Sequence, residues 1–252
     1  MITITDLNAF YDGEEILHGV SAAFPEGKVS VILGPNGSGK STLLRSVIRL
    51  GADVAGTVTV GDEDVRSLTP RELSRRVAYL PQSRNVPDIT VERLVMHGRF
   101  PYLDYPRRYR SEDRRIVREV LDRLDLQDLA GRKLEGLSGG QRQKVYLAMA
   151  LAQGTGVILM DEPTTFLDIR NQLEMLDFIR ELSGEGKTVV MILHDFDLTL
   201  RYADWCLLMG NGRALRDGAP RDVLASEELR NVFRVEPRFC ETEDGLHCFV
   251  KA

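Results

Sequence analysis

Hydrophobic and polar positions change period several times along this chain. The opening stretch, MITITDLNAFYDG, alternates as a half-buried strand does. KVSVILG is a continuous apolar run that breaks into a Gly-rich loop, and STLLRSVIRL after it has helical spacing. GTVTVGDEDV and RVAYLPQ read as further short strands. From about Asn85 to Gly154 the pattern turns helical, through TVERLVMHGRF, SEDRRIVREVLDRLDL and LSGGQRQKVYLAMALAQ. Strands return with GVILMDEP and KTVVMILHD. Between them lies RNQLEMLDFIREL, where Leu173, Leu176, Ile179 and Leu182 recur at helical spacing. Turns fall at Gly184–Lys187 and Gly210–Arg213.

The last two apolar strands end at once in charged residues. Parallel strands buried on both faces have this form, and α/β folds keep their sites at the C-terminal edge of such strands. The pattern therefore predicts an α/β fold with an all-helical insertion. It forms a single domain over 1–252, with a core of 1–84 and 155–252 and a helical part of 85–154.

Composition narrows the class. The chain has 252 residues, 43% of them hydrophobic and 28% charged, which suits an ordinary globular protein with a sizeable core. A net charge of -5 argues against a general nucleic-acid binder. The longest apolar run, Val145 to Ala152, is far short of the roughly 18 residues that suggest a membrane span. The N-terminus lacks the basic start and apolar stretch of a secretory signal. Cys206, Cys240 and Cys248 form neither a disulfide framework nor a zinc spacing, so free thiols are expected; a Cys240–Cys248 bridge is the alternative.

The chemistry sits in a few short stretches. GPNGSGKST, Gly34 to Thr42, follows a strand and opens a helix, as a phosphate-binding P-loop must. Across Gly34, Pro35, Asn36, Gly37, Ser38 and Gly39 the glycines let the loop turn its backbone N–H groups, which Pro35 alone lacks, around phosphate oxygens. Lys40 reaches the outer phosphates, Ser41 offers a hydroxyl to Mg²⁺, and Thr42 continues the helix start. Asp161 and Glu162 end a buried strand. Asp161 suits the outer sphere of Mg²⁺, and Glu162 the orientation or deprotonation of an attacking water. His194 ends the next strand and is expected near the γ-phosphate. Gln82 ends RVAYLPQ and is expected toward Mg²⁺ or the water. Tyr11, placed in an early polar turn, offers a ring for adenine stacking. Ser138, Gly139 and Gly140 open a long helix, a good place to hold an anion.

In this order, from Tyr11 through GPNGSGKST, Gln82, LSGGQ, VILMDE and TTFLD to His194, the residues resemble the ATP-binding cassette ATPases. The likeness spans the chain from Tyr11 to at least Gly218. It implies a RecA-like P-loop NTPase core with a β-rich N-terminal part and a helical subdomain that carries the LSGGQ signature. It further implies two cassettes arranged head to tail with two ATP between them. Ser138, Gly139, Gly140 and Gln141 would then serve the partner's ATP, and Asp168 would lie across the dimer interface.

A free-standing cassette resembles the ATPase subunit of a membrane importer. Its implied partners are a second copy, transmembrane permease subunits and, indirectly, a substrate-binding protein, with no nucleic acid. The implied location is peripheral, on the cytoplasmic face of the inner membrane. The middle segment is similar to cassettes for iron–siderophore, haem and cobalamin uptake, with ferric siderophore the first expectation. The alternatives are an importer of another substrate class, such as phosphate or an amino acid, and a soluble cassette outside transport. VPDITVERLVMHGRFPYL is where this family grips its permease. Arg107, Arg108, Arg110, Arg114, Arg115 and Arg118 read chiefly as a solvated helix face, diluted by Glu112, Asp113 and Glu119. The tail from Glu236 to Ala252 yields no reading.

Overall fold

The fold is taken from a computed structural model that describes residues 1–82, 86–243 and 245–251. The expected domain boundary between residues 84 and 85 lies outside the described residues. The first half runs β1 (Ile2–Tyr11), β2 (Glu14–Phe24), β3 (Val29–Leu33), α1 (Lys40–Val47), β4 (Asp53–Val60), β5 (Glu63–Asp64), α2 (Pro70–Ser74) and β6 (Val77–Leu80). Helices α3 (Val91–His97), α4 (Ser111–Arg123) and α5 (Gly139–Ala152) follow. Then come β7 (Val157–Met160), α6 (Ile169–Gly184), β8 (Thr188–Ile192), α7 (Phe196–Tyr202), β9 (Trp205–Gly210) and β10 (Arg213–Gly218). The chain closes with α8 (Pro220–Leu224), α9 (Glu227–Phe233), β11 (Glu236–Thr242) and β12 (Gly245–Lys251).

The central sheet has the order β10-β9-β3-β8-β7-β6, parallel except for β10. Its strands β3, β7 and β8 are buried at every position, and apolar at all but Ser30 and Thr188, because both faces are covered. On β3, Val29, Val31 and Leu33 enter the core shared with α3 to α6, while Ile32 enters the other core with Leu43, Leu44 and Val47 of α1. On β8, Val189 and Met191 divide from Val190 and Ile192 in the same way. The second core is closed by the antiparallel sheet β2-β1-β4-β5. Each burial removes apolar surface worth about 25 cal/mol per Å².

Helices α3, α4 and α5 pack on one another, and α5 also meets β6. Their junction holds a buried ion pair, Arg99 Nε to Asp113 Oδ1 at 3.0 Å. Arg99 also donates to Ala152 O at 2.9 Å and lies 3.9 Å over the Tyr102 ring. Arg115 pairs with Glu112 and Glu119 on α4, as expected of a solvated face. Among the described residues no helix is long and apolar enough to cross a membrane.

One local expectation changes. Tyr11 is not in a turn: it closes β1 opposite Glu14, and Asp12 and Gly13 form the turn at φ +50° and +84°. Register shifts along β1 carry the strand further than its alternation suggests. The unread tail is a hairpin, β11 with β12, that packs on α7. Asp197 of α7 accepts from Cys248 N at 2.9 Å and lies 3.0 Å from His247 Nδ1. In that register Cys240 faces His247 and Cys248 faces Phe239, so the two thiols point to opposite faces and stay free. Burial pushes the Cys248 thiol up to about 11.

Candidate nucleotide site

β3 ends in the Gly-rich loop, and α1 starts from Gly39 in the left-handed region, φ +94°, without a side-chain cap. A Cβ there would lie 2.6 Å from Leu17 Cδ2, and one on Gly34 only 2.4 Å from Met209 O. Only glycine fits either position. Lys40 is 6% exposed and folds back into the loop, donating to Gly34 O at 2.7 Å and Pro35 O at 2.9 Å. Burial lowers its pKa, and the Glu162 and Asp161 carboxylates partly restore it. Ser38 Oγ is buried without a hydrogen-bond partner among the described residues. A cradle of uncapped N–H groups, a buried ammonium and an orphaned hydroxyl is suited to phosphate.

The sheet order brings the other acids to this edge. Asp161 follows β7, is fully buried, and accepts from Ser41 Oγ through Oδ1 at 2.9 Å. Tyr79, on β6, donates to Asp161 Oδ2 at 3.1 Å. Burial, opposed by the Arg45 hydrogen bond, pushes the Tyr79 phenol up to about 12, so it remains a donor at working pH.

Glu162 adopts φ +52°, a conformation non-glycine residues rarely take. It turns its carboxylate to three neighbours. Gln82 Nε2 donates to Oε2 at 2.7 Å, Thr165 Oγ1 donates to Oε2 at 3.0 Å, and His194 Nε2 lies 2.6 Å from Oε1. Burial raises the Glu162 pKa, but the bonds from His194, Thr165 and Gln82 outweigh it and hold the carboxyl below the usual range. Gln82 and His194 therefore meet on Glu162; the sequence predicts Gln82 toward Mg²⁺ or the attacking water and His194 near the γ-phosphate. Thr165 escaped sequence reading; its one signal is its place three residues after Glu162 in the same turn.

Tyr11 is half-buried, with its ring beside Gly51: the hydroxyl lies 3.0 Å from a Cβ built there. The remaining residues form a separate face. Ser138 caps α5 by accepting from Gln141 N at 3.3 Å, while Ser138 N donates to Gln141 Oε1 at 3.1 Å. The Gln141 side chain is thus engaged in a capping box. Asp168 caps α6, accepting from Asn171 N and Nδ2, each at 2.8 Å, and these bonds hold its pKa low. A Cβ on Gly140 would come 3.0 Å from the Asn171 side chain, so the two helix starts abut. Phe166 and Ile169, which flank Asp168, are 94% and 78% exposed, and sequence reading had not singled them out. A cavity of about 530 Å³ runs between this face and Glu162, lined by Gln82, Gly139, Arg142, Glu162, Thr165 and Phe166 among others.

A parallel sheet whose edge joins a phosphate loop, a buried carboxylate on the loop's serine and a second, held acid is the arrangement of a P-loop NTPase. The comparisons with known proteins narrow it. Residues 17–165 match the family described as ABC transporter. Over 239 residues the chain is 42% identical to the achromobactin transport ATP-binding protein CbrD of Dickeya dadantii (strain 3937), covering 94% of this chain and 89% of that protein. It is 35% identical over 237 residues to the iron(3+)-hydroxamate import ATP-binding protein FhuC of Bacillus subtilis (strain 168), covering 93% and 88%. The dimeric, post-hydrolysis structure of the ATP-binding cassette MJ0796 with ADP and Pi superposes with a TM-score of 0.75 at 28% identity, covering 88% of this chain and 100% of that one. The chain belongs to the ABC transporter family and is an ATP-binding, ATP-hydrolysing subunit of an importer. ABC ATPases dimerise and pair with permease subunits.

Proposed function

We propose that this cassette powers uptake of a ferric siderophore, as a homodimer that closes on two Mg·ATP beneath a membrane permease at the cytoplasmic face. The observation that carries the mechanism is the Glu162 cluster: His194, Gln82 and Thr165 converge on one acid beside the P-loop. Relatives named for achromobactin and iron(3+)-hydroxamate support the cargo.

In this reading the core comprises 1–84 and 155–252, and the helical subdomain 85–154. The loop from Gly34 to Thr42 holds the phosphates, and Tyr11 holds the adenine. Lys40 exchanges its two carbonyl partners for phosphate oxygens. Glu162 stays ionised and orients the attacking water, with His194 fixing its position. Ser138, Gly139, Gly140 and Gln141 present the α5 start to the ATP of the partner subunit, and Asp168 meets that subunit at the interface.

The donor set fits magnesium. Ser41, Asp161 and Gln82 offer hydroxyl, carboxylate and amide oxygens, the ligands Mg²⁺ prefers. Among the described residues no group of three or more His, Cys, Asp or Glu is able to hold a metal alone, which suits an ion completed by phosphates and water. When bound, the ion supplies charge neutralisation on the phosphates.

The test is co-purification and uptake. Tagged Glu162→Gln protein, solubilised from native membranes with Mg·ATP, is expected to carry a many-spanning permease. Cells lacking the cassette are expected to lose uptake of a radiolabelled ferric siderophore and keep that of cobalamin. Ribosomes or repair proteins in place of a permease would overturn the transport reading. Retained siderophore uptake would overturn the cargo.

A further inference from the structure

Asp161 is held from two sides, and only one of them belongs to the P-loop motif. Its carboxylate is fully buried at the end of a fully buried strand, so both oxygens need partners within the protein. Oδ1 takes the Ser41 hydroxyl at 2.9 Å. Oδ2 takes the Tyr79 hydroxyl at 3.1 Å, and that hydroxyl in turn accepts from Arg45 Nε at 3.3 Å. Arg45 Nη2 itself lies 3.9 Å from Oδ2.

The fold explains the convergence. Ser41 and Arg45 are four residues apart on α1, so they share a face one helical turn apart. Tyr79 and Asp161 come from neighbouring parallel strands, Leu80 pairing with Met160 in register. Alternation on β6 puts Ala78 and Leu80 in the core on the far side of the sheet and turns Tyr79 toward α1. The tyrosine therefore bridges the second turn of α1 to the strand end, as Ser41 bridges the first turn.

We propose that Tyr79 and Arg45 are positioning residues for Mg·nucleotide. They pin Oδ2 so that Oδ1 stays aimed at Ser41 after the serine hydroxyl turns to the metal. This rests on the reading of Ser41 and Asp161 as the magnesium site. Without the Tyr79 bond, Asp161 loses its orientation, so metal-dependent binding weakens while metal-free nucleotide binding does not.

The experiment titrates Mg²⁺ against a fluorescent ATP analogue on the purified full chain, with a parallel titration of nucleotide in EDTA. Thermal midpoints are recorded without nucleotide. Tyr79→Phe is expected to raise half-saturating Mg²⁺ about fivefold to tenfold, the scale of one net hydrogen bond felt through a positioned neighbour. Affinity in EDTA is expected to stay within about twofold, less than the loss of a single such bond. Arg45→Met should behave like Tyr79→Phe, and Arg45→Lys should recover part of the loss. A lowered thermal midpoint with unchanged Mg²⁺ dependence would make both residues merely structural and overturn the proposal. Asp161→Asn separates the two levels. If it abolishes the Mg²⁺ dependence and Tyr79→Phe leaves it intact, the magnesium site stands and the positioning role falls. If Asp161→Asn leaves the dependence intact, the site reading falls and takes the proposal with it.

Discussion

Two helix starts carry the glycines that the proposed mechanism assigns to phosphate, and they are built in opposite ways. α1 begins at Gly39, in the left-handed region, with no side-chain cap and a buried lysine folded beneath it. α5 begins at Ser138, extended and exposed, with a complete capping box. The first start carries no side-chain cap, and its Lys40 bonds the loop's own carbonyls, Gly34 O and Pro35 O. The second is stable alone and faces outward beside Asp168 and an exposed Phe166. A site assembled by one chain looks like the first, and a surface offered to another chain looks like the second.

The comparison is broken most directly at Glu162, the acid proposed to orient the attacking water. Glu162→Gln is expected to cut ATP turnover by about 10²–10⁴-fold, the range for a positioned acid–base group, while equilibrium ATP binding persists. Steady-state hydrolysis and fluorescent-nucleotide titration on the same preparation check it. Turnover near that of the unsubstituted protein would remove Glu162 from the chemistry. Next in size is the α1 side. Lys40→Ala removes the ammonium meant for phosphate and is expected to weaken ATP about tenfold to a hundredfold, as loss of charge-assisted bonds does. Calorimetry measures it directly.

The α5 side should respond differently. Ser138→Arg, in a Glu162→Gln background, is expected to leave each monomer's ATP affinity unchanged and to abolish the ATP-dependent dimer seen by size exclusion with light scattering. Ser138→Ala separates capping from partner contact. It should cost about 1 kcal/mol of stability through the lost cap and weaken the dimer less than the arginine does. If Ser138→Arg lowered the monomer's own ATP affinity, the two helix starts would belong to one site and the contrast would collapse.

Much of this was legible in the chain. β7 and β8 read as buried strands because both faces are covered, which leaves no polar position in β7 before Asp161 and none after Thr188 in β8 before His194. The P-loop read because its glycines answer to local sterics. What stayed hidden depends on long-range register. Tyr79 meets Asp161 82 positions away and Arg45 34 away, and nothing near Tyr79 marks that pairing. The terminal hairpin hid because Glu236–Thr242 alternates weakly and its anchor, Asp197, lies far upstream. Tyr11 was misplaced because the irregularities in β1 break the strand's period before its end. Gln82 and His194 were assigned to the correct edge, but the sequence carries no sign that an acid already there would hold them.

The smallest predicted effect lies within that cluster. Thr165 donates to Glu162 Oε2 at 3.0 Å and is one of three bonds that keep the carboxyl below its ordinary pKa. A carboxyl lowered in the folded state contributes stability above its unfolded value and loses it as pH falls through the folded one. Activity that needs the carboxylate follows the same direction, so the acid limb of the rate profile should lie below the usual carboxylate range. Thr165→Val removes one bond and keeps the shape of the side chain. It is expected to move the acid limb of kcat toward higher pH, with the rate near neutrality reduced only modestly, because Gln82 and His194 still hold the acid. A pH–rate profile of the two proteins, with nucleotide saturating at every pH, reads the shift. An acid limb that stays where it was would mean the Glu162 cluster is rebuilt once ATP is bound, with Thr165 outside it.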